Sequence, residues 1–223
     1  MRPLKRLFLL LTFSLLLAGC AAPATETALP PASRTIDIYA SPAARPWLSD
    51  FFACARAFPA PDTTLRSTDD PSAAAVRIQL GEPGKDDGTS YQIGSDDLLV
   101  VTHRQNLLQN LDAAQTREIF SGRGLPAGVQ VWVYAAGEDI QRIFQKEVLG
   151  EAVLSSLAKL ATDPQQMSDT LNSDPNAVGI LPRRWKMGDS RIIFTLANLP
   201  VLALTSGEPD AALRQWMGCM QEP

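Results

Sequence analysis

The fold is decided by residues 91 to 123, which read YQIGSDDLLVVTHRQNLLQNLDAAQTREIFSGR. The apolar, β-branched run at residues 98 to 102 has the length and composition of a strand. A short helix is predicted after a polar break. Asp112 with Gln115 three positions later is the pattern of an N-terminal capping box, and Gly122 suits the left-handed residue that follows a helix. The stretch therefore predicts a strand that leads into a helix.

Strands and helices alternate along the rest of the chain. Periodicity predicts strands at 36–40, 75–80, 98–102, 129–134, 178–181, 192–196 and 201–205, and helices at 46–58, 113–121, 139–149, 152–160, 164–172 and 209–220. Such alternation is typical of an α/β fold with open, mostly parallel sheets covered by helices on both faces.

The pattern "ig.ddl.vv...n....l...q...IFsG" in residues 93 to 122 resembles the phosphate-type solute-binding proteins of ABC importers. The resemblance implies a two-lobed fold of the type II periplasmic-binding-protein kind. Lobe 1 would comprise residues 35–100 plus 190–223, and lobe 2 residues 101–189. It further implies a monomer without a cofactor, which captures a small solute between its lobes and delivers it to a permease. By resemblance the solute would be an oxyanion.

The first 19 residues have the features of an export signal. Three cations at positions 2, 5 and 6 precede an apolar run of eleven residues, 7 to 17, which is too short for a settled membrane span. The run ends in Leu-Ala-Gly-Cys, which resembles the bacterial lipobox, so Cys20 is the expected site of lipidation. The alternative is an ordinary cleaved signal with an incidental cysteine. One acyl chain anchors a protein only marginally, so the lipoprotein interpretation implies a second fatty-acyl chain, such as palmitate.

Residues 20 to 34 are rich in alanine, proline and threonine and predict a flexible tether between the lipid and the domain. Removing residues 1 to 19 takes three of the 20 cations and none of the 24 acidic residues, which leaves a formal charge of −7. This balance excludes a nucleic-acid partner and leaves the lipid anchor as the only membrane attachment. We expect the protein at the extracytoplasmic face of a cell membrane.

Two cysteines remain if Cys20 is lipidated. Cys54 and Cys219 each lie on an apolar helical stripe, and the resemblance places both in lobe 1. An exported protein meets an oxidising compartment, which favours a disulfide between them. Two separate buried thiols are the alternative.

Ligand contacts in such folds come from loops at the carboxyl ends of strands. Ser41 follows the first strand, and the resemblance places an anion-binding serine there, with Arg45 close by. Ser41 is equally suited to cap the first helix. Arg77 on the next strand and Glu82 in the turn after it are further candidates, although such residues often form the wetter side of a strand.

The loop after strand 129–134 departs from the phosphate-type pattern. The family carries an arginine and Gly-Ser-Gly-Thr, whereas this chain has Tyr134 and then Gly137, Glu138, Asp139 and Ile140. Two carboxylates would repel a phosphate dianion, so we expect phosphate to bind poorly and a neutral or cationic solute to bind better. The structural alternative is that Asp139 is the N-cap of the following helix and Glu138 lies beside its positive end.

Catalytic chemistry is not indicated. His103 is the only histidine and stands at the end of the crossing strand, without a serine or cysteine motif to activate. No spacing of His, Cys or carboxylates predicts a metal site.

The basic pair Arg183 and Arg184 lies near the return of the chain to lobe 1. It fits either a contact with an anion or a solvent-exposed run of charge. Short length and altered loops also fit a sensory or accessory lipoprotein of the same fold that has no transport role.

Replacing Cys20 with serine tests the lipid anchor. The variant is expected to leave the membrane fraction or to keep its signal segment, because serine lacks the thiol that accepts the lipid. Fractionation with a radiolabelled fatty acid measures both outcomes. Unchanged membrane association with undiminished acyl label would contradict the lipobox interpretation.

Overall fold

The computed structural model describes residues 33–85 and 87–221, and these described residues form one compact unit. Its centre is a single eight-stranded sheet with the strand order β2-β1-β3-β8-β4-β7-β5-β6. The strands are β1 Arg34–Ala40, β2 Thr63–Ser67, β3 Val76–Leu80, β4 Thr89–Thr102, β5 Gln130–Val133, β6 Lys159–Leu160, β7 Ala177–Pro182 and β8 Arg191–Thr205.

Helices flank the sheet, as the alternating pattern predicts. They are α1 Pro46–Ala57, α2 Ala113–Phe120, α3 Asp139–Phe144, α4 Pro164–Ser173 and α5 Ala211–Gln221, with single 3-10 turns at Pro42–Ala44 and Arg183–Trp185. A π-helical turn, Gln145–Leu149, continues α3. All six residues of β7 are buried, as expected for a strand covered on both faces.

Strand direction divides the sheet into three parts. Four of the seven neighbouring pairs are parallel, and they lie on the two outer sides: β2-β1-β3 and β7-β5-β6. The three antiparallel pairs all involve the long strands β4 and β8, which pair with each other over twelve positions. The predicted class, an open and mostly parallel α/β sheet flanked by helices, is therefore confirmed. The two long strands run between the outer sides, and the lobe boundaries near residues 100 and 190 stay a prediction.

The helix after the crossing strand begins and ends where the sequence places it. The Asp112 carboxylate accepts from the Gln115 amide at 2.8 Å, and the Gln115 side chain accepts from the Asp112 amide at 2.9 Å. Gly122 follows the helix with φ of +81°. The capping-box prediction is confirmed.

The predicted helix at residues 152–160 is wrong. This segment forms turns and the short edge strand β6. The Ser155 amide donates to the Phe120 carbonyl, and the Ser155 hydroxyl accepts from the Leu157 amide. Val153 and Leu157 are largely exposed, so no apolar face is available to hold a helix here.

The two strands predicted at 192–196 and 201–205 are one strand, β8. Asn198 between them adopts a left-handed conformation with φ of 61°, and its amide donates to the Asp97 carboxylate at 3.1 Å. The polar Asn-Leu-Pro sequence therefore forms an irregularity within a strand rather than a turn between two strands. Strand β4 likewise begins nine residues before the predicted residue 98.

The predicted signal segment 1–19, Cys20 and the tether up to residue 32 lie outside the described residues. Arg34, predicted to end the tether, belongs to β1. None of the described helices combines the length and the hydropathy needed to cross a membrane.

A disulfide joins Cys54 on α1 to Cys219 on α5, with their Cα atoms 5.9 Å apart. The aromatic rings of Phe51 and Trp216 pack edge to face beside it, and the Trp216 indole donates to the Phe58 carbonyl. The first and last helices are thereby joined covalently and through their buried side chains.

Non-reducing peptide mapping of the purified chain should recover Cys54 and Cys219 in one linked peptide. Replacing both with serine is expected to lower the free energy of unfolding by about 2–5 kcal/mol, because the bridge closes a long loop. Urea denaturation measures that loss. Two separately alkylated cysteines in the unreduced protein would contradict the bridge.

Candidate functional site

The candidate site lies where β1, β3 and β5 end. Each of these strands leads directly into a segment that approaches the others: the 3-10 turn after β1, the Gly81–Gly84 turn after β3, and α3 after β5. The carboxyl ends of parallel strands are the usual ligand-binding edge of α/β sheets.

The Asp139 carboxylate is the centre of this site. Asp139 is only 5% exposed, and its Oδ2 accepts a hydrogen bond from the Ser41 hydroxyl at 2.6 Å and from the Leu80 amide at 3.2 Å. Its other oxygen accepts from the Ile140 amide at 2.8 Å. Three donors, two of them far away in the sequence, therefore surround one buried carboxylate.

The ends of β1 and β3 explain why these donors are available. Pairing between β1 and β3 ends at Ala40 and Ile78, because the chain turns after Ser41 and the Ser41 carbonyl accepts from Ala44 instead of from β3. The Leu80 amide lies beyond the end of that pairing and donates to the Asp139 side chain. A buried amide needs an acceptor, and the carboxylate supplies it.

The interpretation of Asp139 as an N-cap is corrected by this geometry. Glu138 is the N-cap residue of α3, its side chain makes no capping hydrogen bond, and Asp139 is the first residue of the helix. One Asp139 oxygen is bound by the donors of β1 and β3, so the side chain bridges three segments rather than only capping its own helix.

A cavity of about 280 Å³ adjoins the bridge. Its polar wall includes Tyr39, Gln79 and Glu138, and its other residues are Ser41, Pro42, Pro71, Arg77, Ile78, Gly137, Asp139 and Arg142. The Gln79 side-chain nitrogen is buried without a protein partner among the described residues. The Tyr39 hydroxyl, the Arg142 guanidinium and the Glu138 carboxylate in the wall are the donors and the acceptor that can serve a ligand.

Negative charge is disfavoured in this cavity. Burial, and secondly the neighbouring Asp139 charge, raise the pKa of the Glu138 carboxyl. Burial also raises the pKa of the Tyr39 hydroxyl, with Glu138 and Asp139 adding to the effect. In both cases burial is the larger cause of the raised pKa, and the charge of the neighbouring carboxylates is the smaller one.

A second cavity, of about 260 Å³, also has Asp139 and Arg142 in its wall. Here the Gly81 turn and α3 approach closely, since a Cβ atom on Gly81 would lie 2.7 Å from the Ile143 side chain. Glu82 and Lys146 form an ion pair at 2.8 Å across this approach. Both groups are well exposed, so the pair contributes little to stability.

Only some of the other predicted site residues line a cavity. Arg77 lines the first cavity but is paired with Asp87 at 2.9 Å. Arg45 is exposed and lies 3.4 Å from Asp69, outside both cavity walls. Gly137 lines the first cavity, and a Cβ atom there would meet nothing within 4 Å, so no close approach requires glycine.

Sequence reasoning missed Tyr39, Arg142 and the Leu80 amide as members of the site. Tyr39 lies on β1 two residues before Ser41, and Arg142 lies one helical turn beyond Asp139. The i, i+3 spacing of Asp139 and Arg142 is a signal that could have identified the arginine. Nothing in the sequence identifies a backbone amide as a donor to a distant side chain.

The basic pair Arg183 and Arg184 lies away from these cavities and is engaged by protein groups. The Arg183 guanidinium binds the Asp97 carboxylate at 2.7 Å, and Arg184 pairs with Asp50. The Arg184 guanidinium also stacks 3.6 Å from the centre of the Trp47 ring. These contacts connect the end of β7 to α1 and β4.

The described residues contain no cluster of three or more His, Cys, Asp or Glu side chains suited to a metal ion. The His103 ring accepts a hydrogen bond from the Gln105 amide at 3.2 Å, a local turn contact directly after β4.

Many solved structures share this fold, and three of them are compared with the chain below. A protein assigned as a phosphate ABC transporter substrate-binding protein from Clostridium perfringens, with bound phosphate, matches with a TM-score of 0.70 at 13% identity over 84% of this chain and 93% of its own. An ABC-type phosphate transport receptor from Vibrio cholerae matches with a TM-score of 0.60 at 14% identity over 84% and 93%. The regulatory domain of OxyR2 from Vibrio vulnificus matches with a TM-score of 0.62 at 11% identity over 85% and 94%.

No protein-family model and no curated protein matches the chain in sequence. At these identities the structural likeness establishes the fold, which is that of the type II periplasmic-binding-protein class predicted from the sequence. The same fold serves both transport receptors and a regulatory domain, so function has to be argued from the site.

Replacing Ser41 with alanine is expected to lower the free energy of unfolding by about 1.5–3 kcal/mol, because the buried Asp139 carboxylate loses a charge-assisted hydrogen bond. Urea denaturation at neutral pH measures the change. The matched control is Ser49→Ala on α1, where the serine is exposed and a loss below about 0.5 kcal/mol is expected. Equal losses in the two variants would contradict the importance of the Ser41–Asp139 contact.

Proposed function

We propose that the chain is a lipid-anchored, extracytoplasmic solute-binding protein that takes a small neutral or cationic solute. The observation that carries the proposal is the cavity beside Asp139, at the carboxyl ends of β1 and β3, with the Glu138 carboxylate in its wall. Its volume of about 280 Å³ corresponds to a small molecule. Tyr39 and Arg142 supply donors around it.

The charge of the preferred solute is inferred from the residues that line the cavity. Burial is the main cause of the raised pKa of Glu138, and the Asp139 charge is the second, so a ligand anion would add to the repulsion that Asp139 already exerts. Arg77, one of two arginines in the wall, is already paired with Asp87. A cation or a neutral hydrogen-bond donor would instead relieve the repulsion between Glu138 and Asp139. The preferred solute therefore carries an amine, an amide or several hydroxyls.

A transport role is supported by the lipobox sequence and by the fold. A tether of about 14 residues after Cys20 would hold the domain at the extracytoplasmic face, where a solute-binding protein meets an ABC permease. The proteins from Clostridium perfringens and Vibrio cholerae that share the fold are described as phosphate transport proteins. The altered charge around Glu138 argues for a different solute here.

An accessory or sensory lipoprotein without a transport role is the second candidate. The contact of Asp139 with Ser41 and Leu80 favours it, because that contact fills part of the ligand-binding edge with the protein's own side chain. Genome neighbourhood distinguishes the two candidates: adjacent permease and ATPase genes favour transport, and an isolated gene favours the accessory role.

A thermal-shift screen of the full chain in mild detergent tests the proposal. The panel contains inorganic phosphate, sulfate, amino acids, polyamines and monosaccharides, and a ligand that binds the folded state raises the melting temperature. We expect no shift with phosphate and a shift with at least one amine or polyol. For a cationic ligand, binding should weaken as the pH falls through the raised pKa of Glu138, since protonation removes the attracting charge.

The variant Glu138→Gln should bind a cationic ligand with an apparent affinity at least tenfold lower, which is measured from the rise in melting temperature as the ligand is titrated. The matched control is Glu151→Gln, which changes the same charge at an exposed position outside both cavities. Submicromolar phosphate binding by the unmodified chain in calorimetry would contradict the proposed selectivity. If no compound of the panel raises the melting temperature, the accessory role is favoured.

A further inference from the structure

We infer that the Asp139 side chain is a built-in ligand: its carboxylate occupies a subsite for a small monoanion and thereby keeps free oxyanions out. This inference deepens the proposed function, since it rests on the same cleft and explains the exclusion of oxyanions from it. It assigns the binding of Oδ2 to donors at the ends of β1 and β3, in addition to the amide that the carrying helix offers to Oδ1.

Convergence of the donors is the first argument. The Ser41 hydroxyl and the Leu80 amide come from positions 98 and 59 residues away, and both reach the same oxygen, Oδ2. The Ile140 amide holds Oδ1. Donors from separate segments that converge on one carboxylate form the arrangement that a protein presents to a bound anion.

The nature of the donors defines the class of anion. All three are neutral, and none of the ion pairs in the described part of the chain involves Asp139. Neutral donors carry no positive charge to offset a second negative one, and Arg142, which lies in the walls of both cavities, supplies a single guanidinium. Without the side chain, the subsite should take formate or acetate in preference to the phosphate dianion.

The second argument is the position of Asp139 relative to the two cavities. Asp139 lies in the walls of both cavities, of about 280 and 260 Å³. Shortening its side chain would remove the group that stands between them and would leave Ser41 and the Leu80 amide without their acceptor. A free anion that enters at this point would recover both hydrogen bonds.

Chemical rescue of Asp139→Ala tests the inference. The full chain in mild detergent is unfolded by heat, with tryptophan fluorescence as the readout, in increasing sodium formate at constant ionic strength set by sodium chloride. We expect the variant to melt below the wild type and to gain about 5–10 °C at a hundredfold excess of formate over its Kd, in a saturable manner. The wild type should not respond, since its own carboxylate fills the subsite.

Two further variants make the result specific. The double variant Ser41→Ala/Asp139→Ala should lose most of the formate response, because a donor is missing. Asp139→Ser is the second test protein if the alanine variant does not fold, and formate should stabilise it as well. Absence of a saturable formate response in both single variants, or an equal response in the wild type, would overturn the inference.

The outcome is independent of the solute screen. A wild type that binds nothing in the panel refutes the proposed solute binding and leaves formate rescue of Asp139→Ala as a separate result. Formate insensitivity of both Asp139→Ala and Asp139→Ser refutes the built-in ligand, whether or not the wild type binds an amine or a polyol.

Discussion

The pairing of β4 with β8 is the constraint on which the rest of the structure depends. Twelve antiparallel positions join two strands of 14 and 15 residues in the middle of the sheet, and every other strand is added to one side or the other. Since each side is built from parallel strands, its carboxyl ends lie at one edge. The long pair brings the edge of β1 and β3 next to the start of α3, and the site exists because of that placement.

Local signals explain which elements were predictable. The capping box of α2 and the apolar core strands involve residues close in sequence, so both can be predicted from the sequence alone. The segment at 152–160 has helix-forming composition, yet Ser155 bonds to Phe120 and the segment ends as an edge strand. The Asn-Leu-Pro sequence at 198–200 likewise has the composition of a turn, but Asp97 from the neighbouring strand holds it inside β8. Contacts from distant residues decide both cases.

The candidate site shows the same division between local and distant effects. The sequence predicts that Ser41, Glu138 and Asp139 lie in loops at strand ends, and it predicts an acidic ligand-binding edge. It does not reveal that one oxygen of the Asp139 carboxylate binds donors at the ends of β1 and β3 while the other binds an amide of its own helix. This contact depends on the Leu80 amide, which lies beyond the end of the pairing between β1 and β3. The sequence does not identify a backbone amide as a donor to a distant side chain.

The disulfide between α1 and α5 has a mechanical consequence. Cys54 lies 21 residues after the first described residue, Ser33, and Cys219 lies two residues before the last described residue, Gln221. A pulling force applied between the two ends of the described chain would pass through the bridge, and the 165-residue separation between the two cysteines would be bypassed. The loaded path before the bridge contains β1, the 3-10 turn and α1, so β3 and α3 would carry no tension, whereas Tyr39 and Ser41 would lie in the stretched segment.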